Sequence, residues 1–166
     1  MQGQSPEVQV EPGFEEAWPG ASASATECVL NAYVLAATIE RVSHAWVRAE
    51  GIPSLAAFNV MTILHGAEEP LAPSVIAERL MVTRGTLTGI LGTLEKAGLA
   101  VRERHLEDGR RLLVRLTGPG RDRVEELLPR VHRAEQRVVE GLSQDQRRVF
   151  LDLVATMQHA AGSLTF

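Results

Sequence analysis

Around Leu87 the chain reads Thr83-Arg84-Gly85-Thr86-Leu87-Thr88, three hydroxyls and one guanidinium surrounding a leucine of inward-facing character. Such a stretch has a definite chemistry if it opens a helix. A helix about 10 to 12 Å across fits the B-DNA major groove, and the residues at its N-terminal end reach base edges. Arginine binds guanine O6 and N7 through two hydrogen bonds, while threonine offers a hydroxyl to phosphate or a methyl to thymine. Further on, Glu107-Asp108-Gly109-Arg110-Arg111 supplies a turn with two arginines at its tip, suited to a narrow, electronegative minor groove. Ser74, at the opening of an earlier helix, adds a hydroxyl for a phosphate. The candidate DNA-binding residues are therefore Ser74, Thr83, Arg84, Thr86, Thr88, Arg110 and Arg111, with Asp108 orienting an arginine of the turn.

These groups need elements to hold them. Residues 1–22, rich in Pro, Gly and acids, read as a mobile arm. Ser24 with Glu27 has capping-box spacing, and Leu35, Ile39, Val42, Trp46 and Ala49 then form one stripe of a long amphipathic helix ended by Gly51 and Pro53. A second helix runs from near Ser54 to Gly66, and Pro70 and Pro73 precede a short third marked by Ile76 and Leu80. Thr83 caps a fourth, with Leu87, Ile90, Leu91 and Leu94 inward and Gly98 at its end. Alternation over Leu99–Arg104 and Arg111–Leu116 predicts a two-stranded hairpin with one basic face. Thr117 and Pro119 open a long helix interrupted by Pro129, and a Ser143/Gln146 capping box introduces the last, with Phe150, Leu153, Val154 and Met157 on one side. The fold class is mainly α with a small β-hairpin, in the order of a winged helix-turn-helix.

The 166 residues suffice for one domain of ordinary size, and 4% aromatic content speaks against an all-β sandwich. The net charge of −4 conceals a division: residues 71–123 hold ten bases and six acids, whereas residues 1–30 hold five acids and no base. Positive charge therefore collects on the stretch that carries the candidate DNA contacts. A single cysteine, Cys28, excludes an internal disulfide and a CxxC motif. The five histidines have no metal-motif spacing, and neither a P-loop nor a GxSxG motif is present, so no metal, cofactor or enzymatic activity is expected. No apolar run approaches a membrane span and the N-terminus lacks signal-peptide character, which implies a cytoplasmic protein with no membrane partner.

The stretch VTRGTLTGILGTLEKAGLAVRERHLEDGRRLLVRLTGPG resembles the multiple antibiotic resistance regulator (MarR) family of bacterial transcription factors. The resemblance rests on Leu94-Glu95 before Gly98-Leu99, on Asp108 with Arg110, and on Leu116-Thr117 with Gly120. It covers residues 71–120 as a DNA-binding core and extends over 23–162, with 23–50 and 118–162 as dimerisation helices. It implies a homodimer interlocked through N- and C-terminal helices, each recognition helix and wing gripping half of a near-palindromic double-stranded operator. It further implies a repressor released by a small aromatic or anionic effector, with Trp46, Phe58, Asn59, Met61 and His65 as candidate pocket residues. The family pattern often has a basic residue where this chain has Gly89 or Gly92, so either packing requires a close backbone approach there or base readout leans on Arg84 and the wing.

Two other functional readings accompany this one. Cys28 near the start of the first long helix is similar to the reactive cysteine of the family's oxidant-sensing branch, against a small buried hydrophobe as the plainer role. A winged-helix module could also use its hairpin for a protein partner and never touch DNA. Salt-dependent duplex binding separates that alternative, because phosphate contacts release counterions.

Overall fold

The computed structural model describes residues 8–104 and 112–164. Among these described residues, seven helices and one hairpin follow in the order α1 (Phe14–Ala17), α2 (Ala23–Ala49), α3 (Leu55–His65), α4 (Pro73–Leu80), α5 (Arg84–Lys96), β1 (Ala100–Arg104), β2 (Leu112–Leu116), α6 (Gly118–Val138) and α7 (Gln144–Gly162). Hydroxyl caps set most helix starts. Ser54 accepts from Ala57 N–H at 3.0 Å, Thr83 from Thr86 N–H at 3.1 Å and Thr117 from Gly120 N–H at 3.0 Å, while Ser143 and Gln146 complete a reciprocal capping box. Each satisfies a backbone donor that the first helical turn leaves without a partner.

The long first helix starts two residues before the sequence expectation. Ser22, not Ser24, accepts from Ala25 N–H, and Glu27 receives Val10 N–H at 3.0 Å instead of closing a box with Ser24. Its carboxylate is used by a distant residue because the arm returns over α2: Val8 N–H donates to Asn31 Oδ1 at 3.0 Å and Asn31 Nδ2 donates back to the Val8 carbonyl at 2.8 Å. From Val8 onward, the segment expected as a mobile arm is pinned by these bonds and contains the single turn α1.

α3, α4 and α5 surround a core of Phe58, Met61, Leu64, Ile76, Leu87, Leu91 and Leu94, closed by Val114 and Leu116 of β2 and by Val124 and Leu127 of α6. β1 and β2 are antiparallel, with Ala100 opposite Leu116, Arg102 opposite Val114 and Arg104 opposite Leu112. Leu71 adds a bridge to Val114, N–H to carbonyl in both directions at 3.0 and 2.8 Å. This register corrects the expectation of one basic hairpin face. Facing partners share a side of the sheet, so Arg102 and Arg104 lie on the side of the buried Val114 and Leu116, and Arg115 lies on the other.

α6 joins the hairpin through a close backbone approach. Gly120 is buried, and a Cβ built on it would stand 1.9 Å from the Leu99 carbonyl oxygen. Thr117 N–H bonds to that same carbonyl at 3.1 Å and Thr117 Oγ1 donates to the Gly98 carbonyl at 2.6 Å. The Leu-Thr-x-x-Gly pattern is thus a packing requirement of this junction. α7 differs from the other long helices in burying no residue, and Phe150, Leu151, Leu153 and Met157 stay exposed, as do Tyr33, Leu35, Ile39 and Val42 on α2.

Candidate nucleic-acid interface

On α5 the inward residues Leu87, Leu91 and Leu94 recur at helical spacing and are buried. Gly85, Gly89 and Gly92 precede them by two positions, a rotation of about 200° at 3.6 residues per turn. They therefore form the opposite, outward ridge. A Cβ on Gly89 or Gly92 would meet nothing within 4 Å. Packing within the described chain does not require those glycines, which removes one of the two explanations the sequence left open.

Threonines and an arginine flank the bare ridge. The Thr83 and Thr86 hydroxyl oxygens are 2.9 Å apart, so one hydroxyl proton is shared between them at the helix start. Thr88 Oγ1 donates to the Arg84 carbonyl at 2.9 Å, which leaves its methyl and a lone pair for a ligand. Arg84 is exposed and forms no ion pair among the described residues. Ser74, exposed at the second residue of α4, lines one hollow of about 370 Å³ with Arg84, Thr88, Arg102 and Leu112. The N-terminal ends of α4 and α5 and the strands of the hairpin thus converge, bringing together backbone donors, hydroxyls and a guanidinium that suit an anionic backbone.

Two hairpin arginines are structural. Arg102 donates to the Thr88 carbonyl at 3.1 Å and pairs with Glu95 at 3.6 Å, tying β1 to α5. Arg115 pairs across the strands with Glu103 at 2.8 Å. Asp108, Arg110 and Arg111 lie outside the described residues.

Of the five candidate effector residues, three line a single cavity of about 350 Å³ between α2, α3 and α6. Trp46 and Phe58 form its aromatic wall, their rings edge to face at 5.6 Å and 78°, and Asn59 stands at its mouth. Met61 is instead fully buried in the core, and His65 turns away to Glu125 at 3.4 Å. Thr62, His132 and Glu135 join the lining without having been read from the sequence. Thr62 follows Phe58 by one helical turn, a spacing that could have found it. His132 and Glu135 sit on a helix whose abundant charge hides them. Behind Trp46, Arg130 lies 5.9 Å from the ring centroid and pairs with Glu50 at 2.5 Å, and Arg123 donates to the Glu50 carbonyl. This cluster ties the end of α2 to α6.

Cys28 is exposed on α2 in the single chain. Among the described residues no three His, Cys, Asp or Glu side chains gather as metal ligands, and no helix is long and apolar enough to cross a membrane.

A family model described as MarR family matches residues 51–111. The chain is 27% identical over 143 residues to the HTH-type transcriptional repressor YetL of Bacillus subtilis (strain 168), covering 86% of this chain and 85% of that one. It is 35% identical over 89 residues to the HTH-type transcriptional regulator FarR of Neisseria gonorrhoeae, covering 54% and 61% respectively. Among solved structures, the S. aureus MepR–DNA complex superposes with a TM-score of 0.74 at 20% identity, over 80% of this chain and 96% of that one. The PcaV transcriptional regulator from Streptomyces coelicolor, in complex with its natural ligand, superposes with a TM-score of 0.64 at 28% identity, over 76% and 91%.

Proposed function

We infer that the chain is a member of the MarR family and, from that premise, a dimeric, sequence-specific DNA-binding regulator, a repressor released by a small aromatic ligand. The relatives it matches are HTH-type transcriptional regulators. The observation that carries the DNA reading is the convergence of Ser74, Arg84 and Thr88 on one hollow between the starts of α4 and α5 and the hairpin strands. Helix N-termini and hydroxyls there would hold phosphates, and Arg84 would read a base edge. Thr83 and Thr86 fix the α5 start, and Arg110 and Arg111 act from the wing, oriented by Asp108. The structure of MepR as a DNA complex supports the same use of the fold.

The dimer reading is supported by the exposed apolar faces of α2 and α7, which a second copy would bury. A two-fold arrangement of recognition helices calls for a near-palindromic operator. The ligand reading is supported by the aromatic cavity and by the ligand complex of PcaV. Trp46 and Phe58 favour an aromatic ring, and the carboxylate of Glu135 in the lining disfavours an anion beside it. α6 both lines that cavity and is locked at its start to Leu99 before β1, so a ligand displacing α6 would act on the hairpin.

Selection of bound duplexes from random DNA, repeated with aromatic acids and matched neutral aromatics present, tests these elements together. Enrichment of a near palindrome that is lost with a neutral aromatic is the expected result. Absence of any enriched duplex would refute the DNA reading. Enrichment unaffected by every compound would refute ligand release.

A further inference from the structure

α4 ends in a motif that ordinarily takes glycine. Val82 N–H reaches back to the Ala77 carbonyl at 3.1 Å and Met81 N–H bonds to the Glu78 carbonyl at 3.0 Å. This closing pattern holds Met81 in the left-handed region, at φ 53° and ψ 41°. Met81 is the one non-glycine among the described residues with positive φ. A Cβ opposes that conformation and glycine would relieve it. The side chain gains nothing from the protein in return: it is 92% exposed, while neighbouring Val82 packs against the core. A flexible apolar chain therefore projects into water from a strained backbone position, two residues ahead of the Thr83 cap and next to the end of α5 that carries Arg84.

We propose that Met81 is a DNA-contact residue whose thioether chain packs on the apolar parts of the duplex, the thymine methyl or the deoxyribose carbons at the groove edge. The inference rests on the reading of the α5 N-terminal end as DNA-facing. Ser74, Thr83 and Arg84 supply hydroxyls and charge at this end of the helix, and none of them offers a long apolar reach. Methionine, unbranched and polarisable, fits an irregular apolar surface better than a stiffer side chain does. The contact would bury the exposed side chain only in the complex, which explains why a costly residue occupies a glycine position.

The test uses the full chain carrying Met81→Gly, Met81→Asn or Met81→Leu, with thermal unfolding and affinity for the selected duplex measured at several salt concentrations. Asparagine tolerates the left-handed region and is polar, and leucine keeps the apolar bulk. Met81→Gly should raise the melting temperature by about 2 to 4 °C. Met81→Gly and Met81→Asn should each weaken binding about tenfold, about 1.4 kcal/mol, with an unchanged salt slope because no phosphate contact is lost. Met81→Leu should bind like the wild type. Deoxyuridine in place of each thymine then distinguishes the two apolar sources: a wild-type loss that is absent in Met81→Gly identifies the thymine methyl, and no loss identifies the sugar. Stabilised Gly and Asn variants with wild-type affinity would overturn the proposal, as would a loss confined to Gly, which would be an effect of backbone freedom. A wild-type chain that binds no duplex would instead overturn the underlying DNA reading.

Discussion

The same substitution, glycine to alanine, should act in opposite directions at two positions. At Gly120 the added methyl would stand 1.9 Å from the Leu99 carbonyl oxygen and 2.8 Å from its carbon. An ordinary C···O approach is about 3.3 Å or more, so α6 and the Leu99 segment must separate by more than 1 Å. Both partners are backbone and cannot rotate aside. Separation also stretches the bonds from Thr117 N–H to the Leu99 carbonyl and from Thr117 Oγ1 to the Gly98 carbonyl. Overpacking typically costs 1 to 3 kcal/mol and each lost hydrogen bond about 1 kcal/mol, giving a loss of roughly 3 to 5 kcal/mol against a stability of about 5 to 15 kcal/mol. At Gly89 the methyl would meet nothing within 4 Å, in a mid-helix position, so Gly89→Ala should stabilise by about 0.8 to 1 kcal/mol. Thermal and urea unfolding at one fixed protein concentration, needed because association shifts apparent stability, should show a fall of roughly 10 °C for Gly120→Ala and a rise of about 2 to 4 °C for Gly89→Ala. A Gly120→Ala protein within about 1 kcal/mol of wild type would refute the junction's rigidity. A destabilised Gly89→Ala protein would mean that the outer ridge of α5 is covered.

Arg84→Ala should relax base choice at one position of each half-site, with a loss of about 1 to 3 kcal/mol for the preferred base; coincident selection profiles for mutant and wild type would reassign Arg84 to phosphate contact. Arg110→Ala should lower affinity with little change in sequence preference and reduce the salt slope by about one, and unchanged affinity in a folded mutant would remove this arginine from the mechanism. Leu153→Asp with Met157→Asp places two carboxylates on the exposed apolar face of α7, where burial of an unpaired charge by a second copy is strongly disfavoured. Sedimentation should show a monomer with lost operator binding, and a wild-type monomer at micromolar concentration that grips a half-site tightly would defeat the dimer reading.

What could be read from the sequence divides along the range of the forces involved. Ser54, Thr83, Thr117 and Ser143 announce helix starts because a cap bonds to a backbone N–H three residues away, and all four act so in the fold. Ser24 failed as a cap for the complementary reason. Glu27, needed to complete its box, is held by Val10, and Ser22 lies close enough to take over the cap. The same bond and the Asn31 pair with Val8 turn an arm of disordered composition into a return over α2, a pairing across more than twenty residues that local composition does not report.

The site followed the same division. The inward leucines and outward threonines of α5 are one helix's periodicity and were legible. The faces of the hairpin were not, because alternation has two phases: β2 is phased as its leucines and valine suggest, but in β1 the buried Ala100, and not Val101, takes the inner face opposite Leu116. That choice turns Arg102 toward Thr88 and Glu95 and converts it from an exposed cation into the link between wing and recognition helix. Position is then controlled from two sides. Arg102 fixes β1 to α5, and the Leu99 carbonyl, just before β1, fixes the hairpin to α6 through Thr117 and the space that Gly120 leaves. A side chain could have bridged either gap flexibly. Backbone contact and a guanidinium bonded to a carbonyl and a carboxylate do so with little slack, so a displacement of the first turn of α6 is passed on to the hairpin.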